Sequence, residues 1–87
     1  MNGNTMKVKI FTQTSCPNCP QAKELGTELL SQGINVEFYD VKTSEGLTES
    51  LMHNILSTPS IIIMKDSEVV AEFLAKTPKI EEVKKWL

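Results

Sequence analysis

The sequence predicts an α/β domain: a central four-stranded mixed sheet with helices on both faces, in the order β-α-β-α-β-β-α. Three observations lead there. The chain has 87 residues, 40% apolar and 23% charged, the proportions of one small globular domain. Period-two alternation and period-3.6 stripes take turns along it, as in a sheet flanked by helices. Two βαβ-like steps are then followed by a hairpin and a terminal helix, which makes the sheet mixed.

The elements follow in order. Residues 1–6 are polar and are expected to form a flexible tail, with the single domain spanning residues 7–87. Lys7-Val8-Lys9-Ile10-Phe11 alternates charged and apolar residues and reads as a strand. After a polar loop, Ala22, Leu25, Gly26, Leu29 and Leu30 form the stripe of an amphipathic helix. Gly33 stands where a left-handed residue ends such a helix. Pro17 is acceptable at its first position, which places Cys16 at the N-cap. Ile34, Val36 and Phe38 alternate in a second strand running to about Val41. Leu47, Leu51, Ile55 and Leu56 give a second helical stripe, broken by Ser57-Thr58-Pro59. Ser60 to Met64 is apolar enough for burial on both faces. A charged turn over Lys65–Glu68 leads to a strand from Val69 to Leu74. Thr77 is expected to cap a last helix, with Pro78 at its first position and Ile80, Val83 and Leu87 facing inward.

Composition narrows the function. Net charge is −2, and the nine basic residues are all lysines. Without Arg there are no bidentate contacts to guanine or phosphate, so no nucleic-acid partner is expected. The longest apolar run, Ile61-Ile62-Ile63-Met64, is far too short to span a membrane. The N-terminus has no apolar signal-peptide core. The two cysteines, Cys16 and Cys19, are too few for a multi-disulfide scaffold. The expectation is a cytoplasmic, reducing setting and a monomer. There, a close Cys pair points to redox chemistry or metal binding.

Cys16-Pro17-Asn18-Cys19 follows a strand and opens an amphipathic helix. A free thiol with a pKa of about 8.5 is only about 3% ionised at pH 7, whereas one lowered to about 6.5 is mostly thiolate. The unpaired N–H groups and positive dipole end of a helix lower it in this way. Two intervening residues bring the sulfurs within disulfide reach. Cys16, at the tip, reads as the nucleophile. Cys19, one turn in, reads as the resolving thiol of reversible dithiol–disulfide exchange. Zinc needs four ligands, and His53 is the only other His or Cys in the chain, so a zinc site requires two chains sharing thiolates. A Cu(I) carrier also places CxxC between a first strand and helix, but such carriers have two helices and usually end in a strand.

Strand, CPxC, helix, strand, helix, Thr-Pro, strand, strand, helix resembles the thioredoxin fold over residues 6–87. The segment Phe11-Thr12-Gln13-Thr14-Ser15-Cys16-Pro17-Asn18-Cys19-Pro20 is similar to glutaredoxins and to the small glutaredoxin-like thioredoxins of archaea and anaerobic bacteria. Pro20 favours the latter group. The resemblance implies that Cys16 attacks and Cys19 resolves, with Pro17 and Asn18 supporting the site. It also implies that the Thr58–Pro59 bond is cis and faces the active site, where Thr58 and Pro59 bind substrate. No cofactor of the chain's own is implied.

Three departures bear on the electron donor. Ser15 stands where typical thioredoxins carry Trp. Gln13 replaces a Lys found in many glutaredoxins. Ala75-Lys76-Thr77-Pro78 replaces the Gly-Gly-Asp-like segment that holds glutathione. They favour a protein disulfide reductase served by a flavin-dependent thioredoxin reductase over a glutathione-dependent glutaredoxin. Ribonucleotide reductase is one partner that the resemblance implies for a subgroup. Among the remaining residues, His53 reads as a surface or helix-face residue, Met52 and Met64 as core filler, and Trp86 as partial core.

Overall fold

The computed structural model describes residues 5–87, so residues 1–4 of the expected tail lie outside the described residues. The elements are β1 (Met6–Thr12), α1 (Cys19–Ser31), β2 (Val36–Asp40), α2 (Ser44–Met52), β3 (Ser60–Lys65), β4 (Glu68–Phe73) and α3 (Ile80–Lys84). They form one mixed sheet in the order β2-β1-β3-β4. β1 runs parallel to β2 and antiparallel to β3, and β4 pairs antiparallel with β3. The start of β1 is held down by Thr5, whose carbonyl accepts the Asp66 N–H at 2.7 Å.

Alternation along β1 sorts the two faces. Val8 and Ile10 point into the main core with Ala22, Leu25, Leu29, Val36, Ile61, Ile63 and Val83. Lys9 and Phe11 point to the other face, where Glu49 and His53 of the α2 segment meet them. Helices therefore cover both faces. Ile61, Ile62 and Ile63 are all fully buried, as a strand covered on both sides requires. Gly33 ends α1 as expected, with φ of 83°.

The structure corrects several sequence expectations. α1 begins two residues later than the Pro17 start: its N-cap is Asn18, not Cys16. A helix capped at Cys16 needs the N–H of residue 20 for its first i→i−4 bond, and Pro20 has none. Instead the Cys19 N–H closes a tighter turn onto the Cys16 carbonyl at 3.3 Å. Leu30 lies off the buried face and is 47% exposed.

α2 is rotated relative to its apolar stripe. Its buried residues are Gly46 and Ser50, while Leu47, Leu51 and Met52 are exposed. The cap fixes this phase. Thr43 Oγ1 accepts the Gly46 N–H at 2.9 Å and donates to the Asp40 carbonyl at 2.8 Å. Gly46 itself presses on that carbonyl, leaving no room for a Cβ. α2 ends at Met52, so Ile55 and Leu56 fall in the following loop, and Leu56 is 95% exposed.

At the other end, α3 is capped by Lys79 rather than Thr77. The Lys79 N–H, which a Thr77 cap needs to hold, goes to the Glu82 carboxylate at 3.2 Å. Pro78 therefore precedes the helix. Trp86 and Leu87 lie past the end of α3 and are substantially exposed. Val83 carries the inner face, with Ile80 packed beside it.

Candidate active site

β1 delivers the chain to the redox loop. Phe11 and Thr12 at its end are buried, and the Thr12 carbonyl accepts the Val41 N–H at 3.0 Å, tying the loop's root to the end of β2. Ser15 takes a left-handed conformation, φ 72°, immediately before Cys16. For a residue with a Cβ that is an uncommon backbone state, and here it turns the chain into the CPNC segment.

Cys16 and Cys19 are joined by a disulfide, with Cα atoms 5.3 Å apart. They are unequally buried: Cys16 is partly exposed, and Cys19 is 2% exposed. Pro17, Asn18 and Pro20 are exposed around them. Cys16 offers its carbonyl, not its side chain, to the Cys19 N–H. The side-chain cap expected at Cys16 is thus absent, although its sulfur lies just before the positive end of α1.

The segment before β3 carries Thr58 and Pro59, the other two residues expected at the site. The Thr58–Pro59 peptide bond is cis, with Thr58 half-buried and Pro59 buried. Sheet register places it beside the redox loop, since Phe11 pairs with Ser60. A cavity of about 200 Å³ lies beside this segment, with Gln13 and Thr58 in its wall together with Val41, Leu47, Ser50 and Leu56; neither cysteine lines it.

Ser60 was not legible as part of this arrangement. Its Oγ donates to the Ser57 carbonyl at 2.8 Å and accepts the Ala75 N–H at 3.0 Å. It thereby fastens the turn before Pro59 to the loop after β4. Nothing in the sequence marks that serine, because both its partners are backbone groups brought together by folding. Ala75 has φ of 61°, so this loop also carries a left-handed residue.

Behind the site lies a polar cluster under α2. Lys9 is 7% exposed, and its Nζ donates to Glu49 Oε1 at 2.7 Å. His53, read from the sequence as a surface or helix-face residue, lies on the helix face turned towards the sheet and packs against it, with 8% of its side chain exposed. Glu49 and His53 stand four residues apart on one helical face, a spacing visible in the sequence. That this face is the buried one was hidden by the leucines on the other. Among the described residues, no group of three or more His, Cys, Asp or Glu side chains is placed to hold a metal ion.

The fold and the closed Cys16–Cys19 pair define a thioredoxin-fold redox protein whose chemistry is dithiol–disulfide exchange. The comparisons place it further. The chain belongs to the thioredoxin family, matching its family model, described as "Thioredoxin domain", over residues 6–87. It is 29% identical to the thioredoxin of Methanocaldococcus jannaschii over 85 residues, covering 94% of this chain and 96% of that one. It is 33% identical to a probable thioredoxin of Archaeoglobus fulgidus over 57 residues, covering 64% and 63% of the two chains. The fold matches a mutant thioredoxin (N21Q) of Halobacterium salinarum with a TM-score of 0.81 at 19% identity, covering 95% of this chain and 72% of that one. The chain is accordingly a thiol–disulfide oxidoreductase of the thioredoxin type. Among the described residues, no helix is long and apolar enough to cross a membrane.

Proposed function

We propose that the protein reduces protein disulfides, with Cys16 attacking and Cys19 resolving, and that a flavin-dependent thioredoxin reductase returns it to the dithiol. The unequal burial of the two cysteines carries this reading: only Cys16 offers a sulfur that a large substrate can reach. The Cys16 thiolate attacks one substrate sulfur, and the other leaves as a thiolate and takes a proton. Cys19, as its thiolate, then attacks the Cys16 sulfur. The second substrate thiol is released and the Cys16–Cys19 disulfide remains, so two electrons have passed to the substrate. Pro17 and Asn18 shape the turn that presents Cys16.

Thr58 and Pro59 form the docking edge. The backbone of Thr58 pairs with an extended substrate segment, as in strand addition, and holds the target disulfide over Cys16. The surroundings suit a contact made by backbone and apolar groups. No charged residue occurs from Ile10 to Ala22, and His53 is the only titratable one from Ser50 to Met64. The protein works as a monomer in a reducing, cytoplasmic setting, with ribonucleotide reductase among the substrates that fit this role.

Glutathione is a poor donor on this reading. Its two carboxylates call for cations or free helix-end N–H groups. Gln13 supplies no charge, and the first turn of α3 carries the carboxylates of Glu81 and Glu82, which repel an anion at that helix end. The test is to equilibrate the protein with glutathione buffers, quantify free thiols, and compare insulin reduction driven by glutathione with glutathione reductase against a flavin thioredoxin reductase. The reading expects a midpoint near the thioredoxin value of about −270 mV and turnover with the flavoenzyme alone. A midpoint at or above about −200 mV, with efficient turnover by glutathione, assigns the protein to the glutaredoxins instead.

A further inference from the structure

The Lys9–Glu49–His53 cluster takes no part in the exchange chemistry, yet it sits where α2 hands the chain to the docking edge. Lys9 Nζ lies 3.2 Å from His53 Nε2 while donating to Glu49 Oε1 at 2.7 Å. An ammonium has only donors, so the contact with His53 is a hydrogen bond only when Nε2 keeps its lone pair. The geometry therefore describes a neutral His53 with its proton on Nδ1.

The charged neighbours come from every element on that face. β1 supplies Lys9, and α2 supplies Glu49, whose Oε1 is also 3.9 Å from Nε2. β2 supplies Tyr39, whose ring lies 6.0 Å from Lys9 Nζ and whose hydroxyl donates to Glu37 at 2.6 Å. β4 supplies Glu72, while β3 contributes the uncharged Ile62 at that level of the sheet. The Phe11 ring packs edge-on to His53 at 6.1 Å. Burial, and then the Lys9 ammonium, hold His53 below the ordinary histidine value of 6.5, against the opposing pull of Glu49 and Glu72.

His53 is also the C-cap of α2, its N–H donating to the Glu49 carbonyl at 3.2 Å. Asn54 follows with φ of 56°, the Ile55 N–H donates back to the Ser50 carbonyl at 2.8 Å, and the chain then reaches Thr58. We propose that the Lys9–Glu49–His53 cluster is a latch that positions the 54–58 segment for substrate docking, and that protonation of His53 opens it. This rests on the reading that Thr58 docks substrate. Protonation removes the lone pair that Lys9 needs and sets two cations side by side with one carboxylate between them. A histidine with a lowered folded-state pKa adds stability above its ordinary value and loses it as pH falls through the lowered one. The latch is closed at neutral pH and opens on the acid side. Lys9, Glu49 and His53 are positioning residues and touch no reacting atom.

The test compares the full chain with His53→Gln, whose amide oxygen accepts from Lys9 at any pH. Amide exchange at Ile55, corrected for intrinsic rate, and the KM for insulin reduction are followed from pH 7 to about pH 5, the range in which histidine titrates. In the wild type, protection of Ile55 falls about tenfold over that interval and KM rises with it, while His53→Gln holds both near their neutral values. Flat wild-type protection, or equal pH dependence in the variant, overturns the latch. A change in protection with an unchanged KM overturns its link to docking. Failure of the wild type to reduce insulin at pH 7 is a separate result and overturns the disulfide-reductase reading itself.

Discussion

Leu29 and Leu51 have the same side chain and opposite places in this molecule. Leu29 is fully buried in the core under α1, whereas Leu51 is 68% exposed on α2. Both sit on sequence stripes of the same quality, so periodicity alone assigns both to the core. What separates them is Gly46, which can approach the Asp40 carbonyl only because it lacks a Cβ, and Ser50, which is small and donates to the Leu47 carbonyl at 2.8 Å. These two residues bring α2 close to the sheet by its small-residue face and leave the leucines outside. Leu29→Ala is expected to cost about 2–5 kcal/mol in urea unfolding, the range for emptying a packed site. Leu51→Ala is expected to cost less than about 0.5 kcal/mol. Comparable losses from the two substitutions would mean that α2 packs by its leucine stripe after all.

The elements themselves were legible, because most carry a strong local signal. The β1 alternation, the Ala22/Leu25/Gly26/Leu29 stripe, Gly33 as the end of α1 and the triple-isoleucine strand all appear as read. The boundaries that moved depend on hydrogen bonds that a stripe does not encode. Pro20 shifts the start of α1, and Glu82 shifts the start of α3 by taking the Lys79 N–H. The first shift has a direct check. Pro20→Ala restores the N–H that a helix reaching back to Cys16 requires. Nuclear magnetic resonance should then show a slowly exchanging amide at position 20 and helical shifts beginning near Pro17. An amide there that exchanges at the unprotected rate contradicts the account of why α1 starts at Cys19, with Asn18 as its N-cap. The same logic explains why the two cysteines were legible as a pair but not their backbone setting. Their spacing is local, while the i→i−3 turn between them follows from the missing N–H of Pro20, beyond the pair.

At the scale of the whole molecule, sheet order does what no single element can. Placing β3 beside β1 sets Ser60 opposite Phe11 and so brings the Thr58–Pro59 step to the redox loop, 42 positions along the chain from Cys16 to Thr58 (58 − 16). The surface so formed is short of charge, and that has a kinetic consequence. Exposed ion pairs are screened beyond a Debye length of about 8 Å in physiological salt. The rate constant for reducing a protein disulfide is therefore expected to change less than about twofold between low and physiological salt, measured by stopped-flow fluorescence. A steep fall with salt would assign docking to charges such as Lys76 instead of the apolar edge.

The division of labour between Cys16 and Cys19 is the centre of the account, and trapping tests it most directly. Each cysteine is replaced by serine in turn, the reduced variant is mixed with a disulfide-bonded protein substrate, and the products are resolved by mass spectrometry without reductant. Cys19→Ser is expected to accumulate a mixed disulfide between Cys16 and substrate, because nothing remains to resolve it. Cys16→Ser is expected to accumulate none, since Cys19 is only 2% exposed. Accumulation with Cys16→Ser but not with Cys19→Ser, or faster alkylation of Cys19 than Cys16 in the reduced protein at neutral pH, contradicts the assignment.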